Sequence, residues 1–211
     1  LDKIDYKKTY RDLYLPKVAP CFIIVPKMKF ITIEGQGNPN GEEFGLATAA
    51  LFSLSYAVKM SYKGENPPDN YYNYVVFPLE GEWDLVDKDK EISDKSNYKY
   101  KLMIRQPEFL NNTLFERFTA EVQIKKPNKY LNSIVLEEIE EGLCCQMQHK
   151  GSYDTEMQSF RLMDQYCIQN GYSRISKTHR EIYLSDPRKT EKEKLKTVLR
   201  YKVDELDDKM G

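Results

Sequence analysis

An α+β fold made of two β-α-β-β modules is what this 211-residue chain predicts. Three observations carry the prediction. Apolar residues make up 40% of the chain, enough at this length for a substantial core. Runs that alternate in hydrophobicity are interleaved with runs whose apolar residues recur at three and four. The order strand, glycine loop, helix, strand, strand occurs twice, which suits helices packed on antiparallel sheets and related by a pseudo-twofold axis.

The elements follow in order. An N-terminal arm rich in Lys and Tyr occupies residues 1–26. Lys27 to Glu34 (KMKFITIE) places Met28, Phe30 and Thr32 on one side of a strand that ends at Gly35 and Gly37. After the loop QGNPNG, Phe44, Ala47, Leu51, Leu54 and Val58 share one face of a helix spanning 44–60. The breaker GENPP leads into two expected strands, the aromatic run YYNYVVFPLEGEW and then YKLMIR. A helix over 113–125 carries Leu114, Phe118, Val122 and Lys125 at the same spacing, and KKPNK at 125–129 is the expected joint. In the second half, Gly142 to Gln148 is a strand. HKGSYD is a loop ending in a cap at Asp154, and Phe160, Met163 and Cys167 stripe a helix over 155–170 that stops at Asn170-Gly171. HREIYLSDP and LKTVLRYKV are the last two strands, joined by a charged linker. The expected modules are therefore 27–107 and 137–203, linked by the helix at 113–125, within a domain spanning 27–203 that a tail at 204–211 follows.

Several function classes are excluded by composition. With 32 basic and 33 acidic residues there is no field to hold nucleic acid or an anionic membrane. No apolar run reaches the roughly 18 residues of a spanning helix, and the first residues carry no signal-peptide pattern, so a cytoplasmic chain is expected. Cys21, Cys144, Cys145 and Cys167 lack paired ligand spacing, and neighbours in a strand point to opposite faces, so no metal site is expected. His179-Arg180-Glu181 matches the H-x-E of zinc deaminases, but no P-C-x-x-C follows. Glycine-rich phosphate loops and nucleophile elbows are missing too, and no cofactor is expected.

The combination of HKGSYDTE (149–156), HREIYLSDP (179–187) and a C-terminal LKTVLR strand resembles the GyrI-like small-molecule-binding proteins. PLEGEW at 78–83 and IRQP at 104–107 are similar to the stand-alone branch of that family, which is not fused to a DNA-binding domain. The resemblance covers residues 27–203. It implies two modules facing each other across a ligand groove, as in the effector-binding domains of multidrug-sensing transcription regulators, with a glutamate at the floor. Glu181 is the residue at the matching position. Some stand-alone members are hydrolases of cyclopropane-bearing, DNA-alkylating natural products, and others inhibit gyrase.

Physical reading of the same residues supplies candidates. In a strand, His179, Glu181 and Tyr183 share one face and Arg180, Ile182 and Leu184 the other. If Ile182 and Leu184 face the helices, Glu181 lies on the open face, where it supplies charge while Tyr183 stacks. From Glu156, Phe160, Met163 and Cys167 lie four, seven and eleven residues on, all within about 40° at 100° per residue. Glu156 therefore heads the apolar stripe, and it meets Glu181 only if the helix begins at the rim of the groove. Among the 16 tyrosines and nine phenylalanines, Tyr74, Phe77 and Tyr153 are candidate walls for planar or cationic molecules, with Trp83, in a Gly-flanked acidic turn, and His179.

Three readings follow. The first is a binding module for lipophilic, planar or cationic small organic ligands, with no nucleic-acid or membrane partner. The second is a cofactor-independent hydrolase in which Glu156 and Glu181 activate water. The third is a gyrase-inhibitor-like protein-interaction role.

Overall fold

The computed structural model describes residues 3–90 and 94–206 and shows a mixed α+β fold. In chain order the elements are the short helical turns α1 (Tyr6–Thr9) and α2 (Arg11–Tyr14), then β1 (Cys21–Val25), β2 (Met28–Gln36), α3 (Glu42–Met60), β3 (Leu79–Leu85) and β4 (Tyr98–Arg105). They continue with α4 (Asn112–Lys125), β5 (Val135–Ile139), β6 (Gly142–Lys150), α5 (Glu156–Gln169), β7 (Tyr172–Arg174), β8 (His179–Tyr183) and β9 (Lys196–Glu205). Residues 207–211 of the expected tail lie outside the described residues. Two compact units emerge: Leu1–Thr9 with Met28–Ile139, and Tyr10–Lys27 with Glu140–Gly211.

In the first unit the strands pair antiparallel in the order β3-β4-β2-β5. The fully buried stripe Ala47, Leu51, Leu54 and Val58 turns α3 onto β2 and β4. By length and composition α3 is also apolar enough to cross a membrane. With Glu42, Glu43 and Lys59 at its ends, the charge-free run 44–58 is shorter than the roughly 18 residues of a spanning helix, and Ala47, Leu51, Leu54 and Val58 are taken up by the core. Asn111 caps α4 by accepting from the Leu114 N–H at 2.9 Å.

The aromatic run is strand only from Leu79. Pro78 has no N–H for a ladder, and upstream of it Tyr71 to Phe77 run irregularly, touched by a single bridge between Ile4 and Tyr74. Trp83 lies within β3, not in a turn, and its ring packs among Phe44, Tyr98 and Tyr100 at centroid distances of 5.5–5.9 Å. Trp83→Ala is expected to destabilise the protein by about 3–5 kcal/mol. A denaturant midpoint followed by circular dichroism checks this.

In the second unit the order is β1-β6-β9-β8, again antiparallel, with β7 on the distal part of β9. The expected N-terminal arm thus contributes a strand, β1, which lies on β6. Both units place their β-α-β-β strands in the same order, with the last strand between the other two. One face of the second sheet carries Cys145, Met147, Leu199, Tyr201 and Val203 against Phe160, Met163 and Cys167 of α5. The opposite face buries charge. Arg200 donates to Glu141 (3.2 Å), Gln146 (3.0 and 3.1 Å) and the Leu13 carbonyl (2.7 Å), while Arg180 Nε lies 3.3 Å from Glu141. The four cysteines are free thiols, and Cys144 and Cys145 take opposite faces, one beside Glu141 and the other in the α5 cluster.

Candidate functional site

The site is assembled in the second unit, where β6, the turn after it, the start of α5 and β8 meet. His149, the last buried residue of β6, fixes the turn: its Nδ1 lies 2.8 Å from Ser159 Oγ on α5, and its Nε2 lies 3.1 Å from the Ser152 carbonyl. Thr155 Oγ1 donates to the same carbonyl at 2.7 Å. Gly151 takes φ +122°, a conformation that side chains with a Cβ rarely adopt. A Cβ there would make only ordinary contacts of 3.4 and 3.8 Å, so the obstacle is the backbone and not space. Gly151→Ala is expected to cost about 1–3 kcal/mol, and an unchanged urea midpoint would show that the turn does not depend on this conformation.

A 3-10 turn, Tyr153–Thr155, intervenes before α5. This overturns the cap expected at Asp154. The extra turn moves the N-cap position to Thr155, which makes no side-chain cap bond, and Ser152 Oγ accepts from the Asp154 N–H instead. Glu156 is consequently the first residue of the helix, pointing inward with the stripe that Phe160 and Met163 continue.

β8 brings the second carboxylate. Tyr183 Oη donates to Glu181 Oε2 at 2.8 Å, and His179 Nε2 lies 3.1 Å from Glu181 Oε1, so the three share one face as strand alternation requires. That face is the one covered by α5, because the Phe160 ring meets the His179 ring at 4.8 Å. The condition under which Glu181 would face away from the helix is therefore not met. Arg180 occupies the opposite face with the buried Glu141. Glu156 and Glu181 do converge, since the helix starts at this edge of the sheet, and a hydrogen bond joins their carboxyls.

The electrostatics follow from this placement. Glu156 is 7% exposed and Glu181 9%, so little solvent reaches either side chain. A helix N-terminus favours an anion by about 0.3–1 kcal/mol. Burial, then the charge and hydrogen bond of Glu181, then Asp154 override that and raise the Glu156 pKa well above the usual carboxylate range. Like charges in one site disfavour each other, so Glu156 keeps its proton to higher pH than an ordinary carboxyl does. Glu156 Oε1 has no hydrogen-bond partner among the described residues. Tyr153, 36% exposed, stands edge-on to Tyr183 with centroids 5.9 Å apart, and burial with the nearby carboxylates pushes its pKa up to about 12. The site thus offers a proton donor, a proton acceptor and aromatic surface at its accessible side.

Of the candidates, Tyr153, Glu156, His179, Glu181 and Tyr183 come together. Trp83, Tyr74 and Phe77 belong to the first unit. Trp83 lies in its own aromatic group, and Tyr74 and Phe77 lie in another with Tyr6 and Phe109. His149 and Ser159 were not anticipated as parts of the site. Their signal was the histidine two residues before a glycine and ten before a serine on the helix. Among the described residues no group of three or more His, Cys, Asp or Glu is placed to hold a metal ion.

Known proteins place these features in context. The profile described as the GyrI-like small molecule binding domain matches residues 20–203. A hydrolase from Listeria innocua is similar at 36% identity over 96% of this chain and 100% of its own, with a TM-score of 0.88. An uncharacterized conserved protein from Listeria innocua is 38% identical over the same shares, with a TM-score of 0.91. The C-terminal domain of EcmrR shares the fold alone, at 14% identity over 89% of this chain and 98% of that one, with a TM-score of 0.57. A comparison with curated protein sequences finds no match.

Proposed function

The chain belongs to the GyrI-like small molecule binding domain family, and from that premise we propose that it is a hydrolase of lipophilic, planar electrophiles bearing a cyclopropane. The observation that carries the proposal is the buried pair of neighbouring carboxyls, Glu156 and Glu181, in which burial and the nearby Glu181 raise the Glu156 pKa. Similarity along the full length to a Listeria innocua hydrolase supports it.

In the proposed reaction the ionised Glu181 takes a proton from water, with Tyr183 and His179 fixing both of its oxygens. The water oxygen bonds to a ring carbon, and the cyclopropane carbon–carbon bond breaks. Its electron pair passes into the conjugated acceptor of the substrate, which takes the proton of Glu156. Transfer of a proton from Glu181 to Glu156 across their hydrogen bond restores the pair. Tyr153 and Tyr183 supply stacking surface for a planar substrate.

Mass spectrometry of a cyclopropane-bearing planar substrate tests the reading, with a product heavier by one water as the expected result. Saturable binding that returns the compound unchanged would overturn it in favour of a binding module. The observation favouring that second reading is the aromatic pair Tyr153–Tyr183 beside the Glu181 carboxyl, a setting suited to organic cations.

A further inference from the structure

The helix α3 is apolar beyond what its core stripe requires. Only 39% of its most apolar 18-residue stretch is buried, and Tyr56 and Met60 are 55% and 41% exposed. Its outer face does not lie flat against solvent. With α4 it forms a groove of about 870 Å³ in the first unit, within the range of roughly 300–1,000 Å³ typical of small-molecule sites. Phe52, Tyr56 and Met60 from α3 and Phe118 and Val122 from α4 give it an apolar floor. From Phe52 to Met60 that floor runs about 12 Å at the helical rise.

The rim has a sign. Lys63, Arg117, Lys125 and Lys126 line it against only two acids, Glu65 and Glu121. Arg117 lies 3.6 Å from Glu121, so those two charges offset each other. Three lysines then face one glutamate around an apolar floor, in a chain whose overall charge is close to zero.

We propose that the α3–α4 groove is a second ligand site, separate from the carboxyl pair, which takes an amphipathic anion: an alkyl or aryl chain on the floor and a carboxylate or similar head at the Lys63, Lys125 and Lys126 rim. The head contributes through the local positive field and the chain through burial of apolar area. The proposal does not depend on the hydrolase reading, since no residue of the groove belongs to that site.

Calorimetric titration of the full chain with monomeric dodecanoate tests it, with dodecyltrimethylammonium and phosphatidylglycerol vesicles as comparison ligands. Saturable binding of one dodecanoate is expected, weakened by added salt because exposed charges are screened beyond about 8–10 Å at physiological ionic strength. The double variant Lys125→Glu/Lys126→Glu is expected to weaken it by about tenfold or more. Met60→Glu should do the same by placing a like charge on the floor, and Glu181→Gln should leave it unchanged. Both lysines are exposed, so the double variant decides the matter even if Met60→Glu fails to fold by circular dichroism. Absence of saturable binding, equal affinity for the cationic amphiphile, or indifference to the lysine reversals would overturn the proposal. So would loss of binding in Glu181→Gln, or binding to the vesicles without binding to monomeric dodecanoate.

Discussion

Glu181→Gln is expected to retain ligand affinity for neutral planar compounds while lowering turnover by about 10²- to 10⁴-fold, the usual contribution of a general base. The amide keeps the size and still accepts from Tyr183, but it cannot take a proton from water. Glu156→Gln is expected to lower turnover over a similar range, because the substituted side chain can donate a hydrogen bond but cannot deliver and recover a proton. The two variants part on stability. Glu156 holds its proton more tightly in the folded than in the unfolded protein, so the folded state binds more protons and stability falls as pH rises above the unfolded value near 4.5. Glu156→Gln removes that loss and is expected to be more stable than the parent at neutral pH and equal to it in acid. Single-turnover kinetics with thermal melts at two pH values reads both effects. Unchanged turnover in both variants would refute the catalytic role. Selective loss of cationic ligands in Glu181→Gln without any turnover in the parent would show that the carboxylate serves binding alone.

Glu141→Ala is expected to destabilise the protein by about 3–5 kcal/mol, the range for breaking a buried ion pair by removing one partner. Glu141 stands between Arg180 and Arg200, both 1% exposed, and its loss takes from two buried guanidinium groups the carboxylate they share. Against a typical total stability of about 5–15 kcal/mol this is a large fraction. Burial pushes the Glu141 pKa up, but the charges of Arg180 and Arg200 outweigh it and hold the pKa below the ordinary value of 4.5. Its stabilising contribution is therefore present above that value and lost as pH falls through the lowered one. Glu140→Gln, at the exposed neighbouring position, is the control and should change stability by less than about 0.5 kcal/mol. A loss below about 1 kcal/mol for Glu141→Ala would mean that the arginines are satisfied without it.

What could be read from the sequence was periodic or local. The stripes Ala47-Leu51-Leu54-Val58 and Phe160-Met163-Cys167 announced α3 and α5, because a helix that must bury one face repeats at three and four. Alternation in β8 correctly put His179, Glu181 and Tyr183 on one side. The short strands β1, β5 and β7 left no comparable signal. Each runs for three to five residues and lies along a longer neighbour that offers it a ladder. The aromatic run before Pro78 failed in the other direction, with high strand propensity but no more than the single bridge from Ile4 to Tyr74 to pair it.

The chemistry divides in the same way. By itself the sequence determined which residues carry charge and which face of their own element they occupy. Only the tertiary structure decided which face of β8 the helix would cover, and therefore that Glu156 would be buried beside Glu181 with its pKa raised. It also decided that Arg180 would be spent on a buried ion cluster on the opposite face. The reason is physical: a pKa shift is set by desolvation and by charges within a few ångströms. In this chain those neighbours come from positions 25 residues apart in sequence, 156 and 181, brought together by the 3-10 turn and the His149 contacts that set where α5 begins.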